Sequence, residues 1–160
     1  METYWSVFVT LIVTPFRHIA LVWGIVPIYF GLLLNETTSD KANFRTAIQT
    51  GFSFLWGAAQ WIYPYFTPDP PRVKPENLLV TLLVVAFGLT ALVSGVRKRF
   101  PKYGRFLGHT RFANYFMITA FPMQTHWLDW TGTRLAAIVI FAVPIWLALH
   151  FGLMPIRGRK

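Results

Sequence analysis

The segment Arg97–Asp129, RKRFPKYGRFLGHTRFANYFMITAFPMQTHWLD, decides how the chain is laid out. It opens on a basic run, Arg97, Lys98, Arg99, Lys102 and Arg105. It then turns apolar from Phe106 to Trp127, interrupted by His109, Arg111 and Asn114. Suppose 106–127 crosses a membrane and 133–154 crosses after it. Lys41, Arg45, Arg97, Lys98, Arg99, Lys102, Arg105, Arg111, Arg157, Arg159 and Lys160 then share one side, and Arg17, Arg72, Lys74 and Arg134 the other. Eleven against four is the asymmetry expected when basic loops stay in the cytoplasm. If 106–127 is instead re-entrant or interfacial, the split becomes nine against six. The spanning layout is therefore expected, with the N-terminus outside and the C-terminus cytoplasmic.

Composition points the same way. Of 160 residues, 54% are hydrophobic, 18% aromatic and 13% charged, against about 25% charged in soluble domains. So few charges cannot cover a soluble globule of this size. The net charge of +9 is concentrated where apolar runs end, so anionic lipid headgroups are the expected partner and nucleic acid is not. The absence of cysteine excludes disulfides, thiolate nucleophiles and cysteine-ligated clusters. Glu2 and the lack of a small-residue cleavage site up to Thr14 argue against a cleavable signal peptide.

The expected fold is an all-α integral membrane protein, a single domain over 1–160 with about five transmembrane helices. Four spans plus a re-entrant or interfacial helix is the alternative. Residues 3–14 carry Thr3, Ser6, Thr10 and Thr14 on one face and end at Pro15, so they read as an interfacial or half-inserted helix. One long helix kinked at Pro15 is the other reading. The spans are expected at 18–34, 44–66, 77–96, 106–127 and 133–154. The second holds Ala47/Gly51 and Ser53/Gly57, small pairs that let helices approach closely. The third carries a small stripe, Ala86, Thr90 and Ser94, with Ala91 and Gly95 beside it. Trp61, Tyr63, Tyr65, Trp127 and Trp130 are expected at the outer interface, with Tyr4 and Trp5 nearby.

Chemistry is harder to place. Glu2, Glu36, Asp40, Asp69, Glu76 and Asp129 all fall in expected loops or ends, which argues against carboxylate-coupled transport. No phosphate-binding loop, nucleophile elbow or metalloprotease motif is present. Arg97, Lys98, Arg99, Lys102, Arg105, Arg111 and Asn114 form a candidate site for an anionic headgroup, with Asn114 at i+3 as a partner for Arg111. Thr10, Gln49, Ser53 and Gln60 are the candidate polar path of a channel. His18 with His126, and His109 with His150, fall at two depths and would suit two b-type haems. Against that, His109 and His126 are 17 residues apart, about 25 Å along a helix, which puts both near headgroups.

The length, five spans and seven tryptophans resemble the tryptophan-rich translocator-protein family. The stretch Trp61–Arg72 differs in spacing from that family's Trp-Pro-Pro-rich loop, so no function or residue carries over. The expected function is a non-enzymatic integral membrane subunit, without a required cofactor. It packs with other membrane subunits or with itself and binds anionic lipid at its basic cytoplasmic loop. A small channel or transporter, and a b-type haem protein, are the alternatives.

Overall fold

The computed structural model describes residues 3–38, 44–99 and 110–152. Among these the chain forms six α-helices and no strand: α1 Tyr4–Arg17, α2 Ile19–Thr38, α3 Phe44–Ile62, α4 Pro75–Val96, α5 Thr110–Gln124 and α6 Gly132–Gly152. A 3-10 turn, Tyr63–Phe66, follows α3.

Local chemistry explains the helix ends. The Thr3 hydroxyl accepts from the Ser6 amide at 3.3 Å, an N-cap for α1. Pro15 does not end α1 as expected; the helix reaches Arg17, and His18 breaks it with φ −122° and ψ 102°. Proline forfeits one helical hydrogen bond, and its ring fits where the preceding turn gives way. α1 and Val22–Gly31 are bent by 118°, as a broken span or a re-entrant turn would be. α4 starts with Pro75, whose missing N–H costs nothing in a first turn.

At the far end of α4, Lys98 has φ 51°. The Arg99 amide donates to the Ser94 carbonyl at 3.0 Å and the Lys98 amide to the Gly95 carbonyl at 3.3 Å. This pair of bonds closes a helix on a residue in the left-handed region, where glycine is at home. Lys98→Gly is therefore expected to stabilise the protein by about 1 kcal/mol, read as a higher melting temperature.

α5 is the hub. It packs against α1, α2, α3, α4 and α6. From Asn114 to Thr125 every residue is buried except Phe116, which is half-buried. Ile118 and Phe121 of α5 join Ile25 and Ile28 of α2, Phe54 and Trp61 of α3, and Val84 of α4 in one cluster. Tyr115 and Met123 join Val7, Phe8 and Leu11 of α1 and Ile138 of α6 in another.

α3 and α4 lie antiparallel and very close. A Cβ on Gly51 would stand 2.7 Å from the Leu92 nitrogen and 2.8 Å from the Gly88 oxygen. One on Gly95 would stand 2.8 Å from the Phe44 oxygen. The small pair Ala47/Gly51 thus packs inside the chain, and Gly57 faces Met117 and Ile28. The α4 stripe differs from expectation: Thr81, Val84, Gly88, Ala91, Ser94 and Gly95 are buried, while Ala86 and Thr90 are exposed. The close approach at Gly88 and Gly95 sets the phase of the helix.

The outward faces are apolar. α4 presents Leu78, Leu79, Leu82, Leu83, Phe87, Leu89 and Val93, and α6 presents Leu135, Val139, Ile140, Val143 and Leu147. On α2, Trp23, Val26, Phe30 and Leu33 are exposed. Among the described residues α4, with 22 residues, is the one helix long and apolar enough to cross a membrane by itself; α1 with Val22–Gly31 qualifies as a bent pair, and Gly132–Ala148 is a shorter apolar helix.

Candidate functional site at the His126 end of the bundle

Three contacts gather distant parts of the chain at one end, and a local one braces them. His18 stacks on Trp127 with ring centroids 3.6 Å apart. Tyr65 Oη lies 2.8 Å from His126 Nε2. Lys74 Nζ pairs with Asp129 Oδ1 at 2.5 Å. The Arg134 guanidinium donates to the Asp129 carbonyl. The start of α4, the 3-10 turn and the α5–α6 loop are thereby joined.

His126 is placed by the end of α5. Its φ is 64°, and its amide donates to the Met123 carbonyl at 3.2 Å while the Trp127 amide reaches Pro122 at 3.0 Å. This is the same closure as at Lys98. It turns the imidazole edge-on to Tyr65, with ring centroids 5.5 Å apart. When the ring proton sits on Nδ1, Nε2 accepts from the Tyr65 hydroxyl.

Asn77, one turn into α4 and 2% exposed, is the centre of this network. Its Oδ1 accepts from Trp130 Nε1 at 2.8 Å, which fixes the amide orientation. Its Nδ2 then lies 3.4 Å from the Met123 carbonyl and 3.4 Å from His126 Nε2. One turn deeper, the Thr81 hydroxyl donates to Gln124 Oε1 at 3.3 Å. The Gln124 Nε2 and the Trp61 Nε1 are buried and have no hydrogen-bond partner among the described residues.

Electrostatics follow from the partners. Burial first, then the positive charge of Lys74, holds His126 below its ordinary value, with Asp129 opposing. Burial raises Tyr65. The hydrogen bond to Lys74 holds Asp129 down, and the same bond holds Lys74 up. A histidine held neutral in the fold contributes stability that is complete above the unfolded value of about 6.5 and is lost as pH falls through the lower, folded value. The melting temperature is thus expected to drop between pH 7 and pH 5. His126→Asn, which tolerates the positive φ, should flatten that profile. The Asp129 contribution is lost only at more acid pH, below its ordinary value of 3.8. Lys74→Ala should be nearly silent, because the pair is solvent-exposed.

The other residues singled out in the sequence are dispersed. Arg97, Lys98 and Arg99 are exposed at the opposite end of α4. Lys102, Arg105 and His109 lie outside the described residues, as does His150's side chain. Arg111 lies in α5, its side chain outside the described residues. Asn114 is fully buried, and neither amide atom has a hydrogen-bond partner among the described residues. The expected Arg111–Asn114 bond falls on a side chain outside the described residues; α5 turns Asn114 toward the protein interior.

Thr10 is exposed on α1 and bonds the Ser6 carbonyl at 2.8 Å. Ser53 and Gln60 face Gly31 and Gly24 of α2, and Gln49 is half-buried on α3. Thr10 thus shares no lining with the α3 residues, because it sits on the outer surface of a helix packed on α5 and α6. Of the candidate haem ligands, His126 is engaged by Tyr65 and Asn77, and His18 by Trp127. Trp5 packs on Phe141 at 5.5 Å, nine positions along α6 from Gly132, and so stands away from the His126 end. Trp61, at the end of α3, is buried against other helices.

Asn77, Thr81, Gln124, Tyr65 and Trp130 went unrecognised in the sequence as parts of one site. Their signal was uncharged polarity at the ends of apolar helices. No family model matches this chain, and no curated protein or solved structure matches it.

Proposed function

We propose that the chain is a non-enzymatic, multi-pass membrane subunit. Its bundle sits in lipid around α5, packs against partner membrane helices or a second copy, and holds anionic headgroups at the Arg97 end. The observation that carries this reading is the placement of apolar and charged side chains. Leucine, valine and phenylalanine cover the outward faces of α2, α4 and α6. Arg97–Arg99 lie at one end, and Lys74, Asp129 and Arg134 at the other. Soluble monomers rarely expose apolar patches beyond a few hundred Å², whereas hydrocarbon solvates such a belt.

α5 has only 15 residues, about 22 Å. Its protein-lined surroundings relieve it of any need to match the bilayer thickness. The small residues at Gly51, Gly57, Gly88 and Gly95 are occupied within the chain, so they supply no partner surface. Ala86 and Thr90, exposed on α4, are the pair placed to meet another helix.

An alkaline carbonate wash of membranes, combined with reporters fused before Glu2 and after Lys160, tests the reading. The chain is expected to remain in the pellet, with the two reporters on opposite faces. Release into the supernatant contradicts membrane integration, and reporters on one face contradict the five-span layout.

A further inference from the structure

We propose that the junction of α3, α4 and α5 at the His126 end binds the carbonyl group of a neutral, lipid-soluble molecule through the Gln124 amide and the Trp61 indole N–H; the inference rests on the membrane reading above. Both side chains are 1% exposed. Gln124 uses Oε1 to accept from Thr81, which leaves Nε2 with two protons and no acceptor. Trp61 Nε1 is likewise unpartnered among the described residues. Buried polar groups left unpaired are costly and few in folded proteins, so two in one junction point to a missing acceptor.

They belong to one junction by register. Trp61, Val84 and Phe121 share a single apolar cluster. Thr81 and Gln124 stand three residues outward from Val84 and Phe121 on their own helices, which is about one turn. Both unpaired groups are donors, so the occupant must present an acceptor.

The charge of the occupant follows from its surroundings. Phe121, Val84 and Ile118 line the cluster without a cation among them. Lys74 and Arg134 lie on the rim and are committed to Asp129. An anion there would lose its hydration without a counter-charge; a neutral carbonyl loses little and gains both bonds. Two lipid-soluble sources present that group, the ester of a glyceride and the ring carbonyl of a quinone.

The test uses the full chain purified from membranes in mild detergent. Its melting temperature is measured against a short-chain diacylglycerol and, separately, a short-chain benzoquinone. One of the two is expected to raise the melting temperature saturably, and which one identifies the source. Gln124→Leu and Trp61→Phe should each weaken the apparent affinity about tenfold, the usual worth of one hydrogen bond. Gln124→Leu also takes away the acceptor of the Thr81 hydroxyl, so each variant's shift is read against its own melt without probe.

No shift with either probe overturns the proposal, as water alone would then satisfy the donors. Equal shifts in parent and variants overturn it too. A chain that stays in washed membranes yet shows no shift loses the site alone; a chain released by carbonate loses the membrane reading as well.

Discussion

Gly51→Leu is expected to lower the melting temperature by about 10 °C, corresponding to roughly 3 kcal/mol for a chain of this size. The reason is geometric. The first added carbon would meet the Leu92 nitrogen at 2.7 Å and the Gly88 oxygen at 2.8 Å. Neither is a flexible side-chain end, so relief requires α3 and α4 to move apart. That separation would undo the close contacts along Ala47, Gly51 and Phe54 on one side and Gly88, Ala91 and Gly95 on the other. Gly132→Leu is the control: its Cβ would meet nothing within 4 Å, and no drop is expected. Thermal melts of the two variants in the same detergent check this. An unchanged Gly51→Leu melt would mean that the helices do not touch there.

Phe121→Ala is the second large effect, at about 3–5 kcal/mol. Phe121 is 1% exposed and sits among Ile25, Ile28, Trp61 and Val84, contributed by three other helices. It also closes on Gly24, whose added carbon would stand 2.7 Å from its ring. Truncation opens a cavity that four helices would have to close together. Leu83→Ala on α4 removes a side chain that is 49% exposed and loses far less packing. Parallel melts of these two variants separate a protein-lined α5 from a lipid-lined α4. Equal losses would contradict that division.

Much of the helical layout was legible from hydropathy and punctuation. α4 ends at Val96 with Arg97–Arg99 following, as the pattern implied, and it starts at Pro75, two residues before the expected 77. The small pairs of α3 pointed to close packing, which Gly51 and Gly57 display. What hydropathy does not encode is whether an apolar helix faces lipid or protein, since both reward the same side chains. Residues 106–127 read as another span, and hydropathy gave no sign that α5 within them would pack on five other helices. Asn114, read as a partner for Arg111 from its i+3 spacing, is fully buried, which the spacing alone did not encode.

The site at the His126 end was half legible. His126 stood out as ionisable, and Trp127 and Trp130 as aromatic anchors. Asn77 looked like an ordinary helix-start residue, and nothing in the spacing of Tyr65, Asn77 and His126 announces a contact. Those residues are 61 and 49 positions apart in the pairs Tyr65–His126 and Asn77–His126. Only the antiparallel return of α4 against α5 brings them together.

In the proposed arrangement hydrocarbon surrounds the outward faces of α4 and α6. The natural absence of cysteine permits single nitroxide labels at Leu82, Val139 and Lys98 without further changes. Collision rates with oxygen, which concentrates in lipid, and with a water-soluble nickel chelate are then measured in reconstituted bilayers. High oxygen and low nickel collision are expected at positions 82 and 139, with the reverse at 98. Nickel collision at 82 or 139 equal to that at 98 would contradict that arrangement.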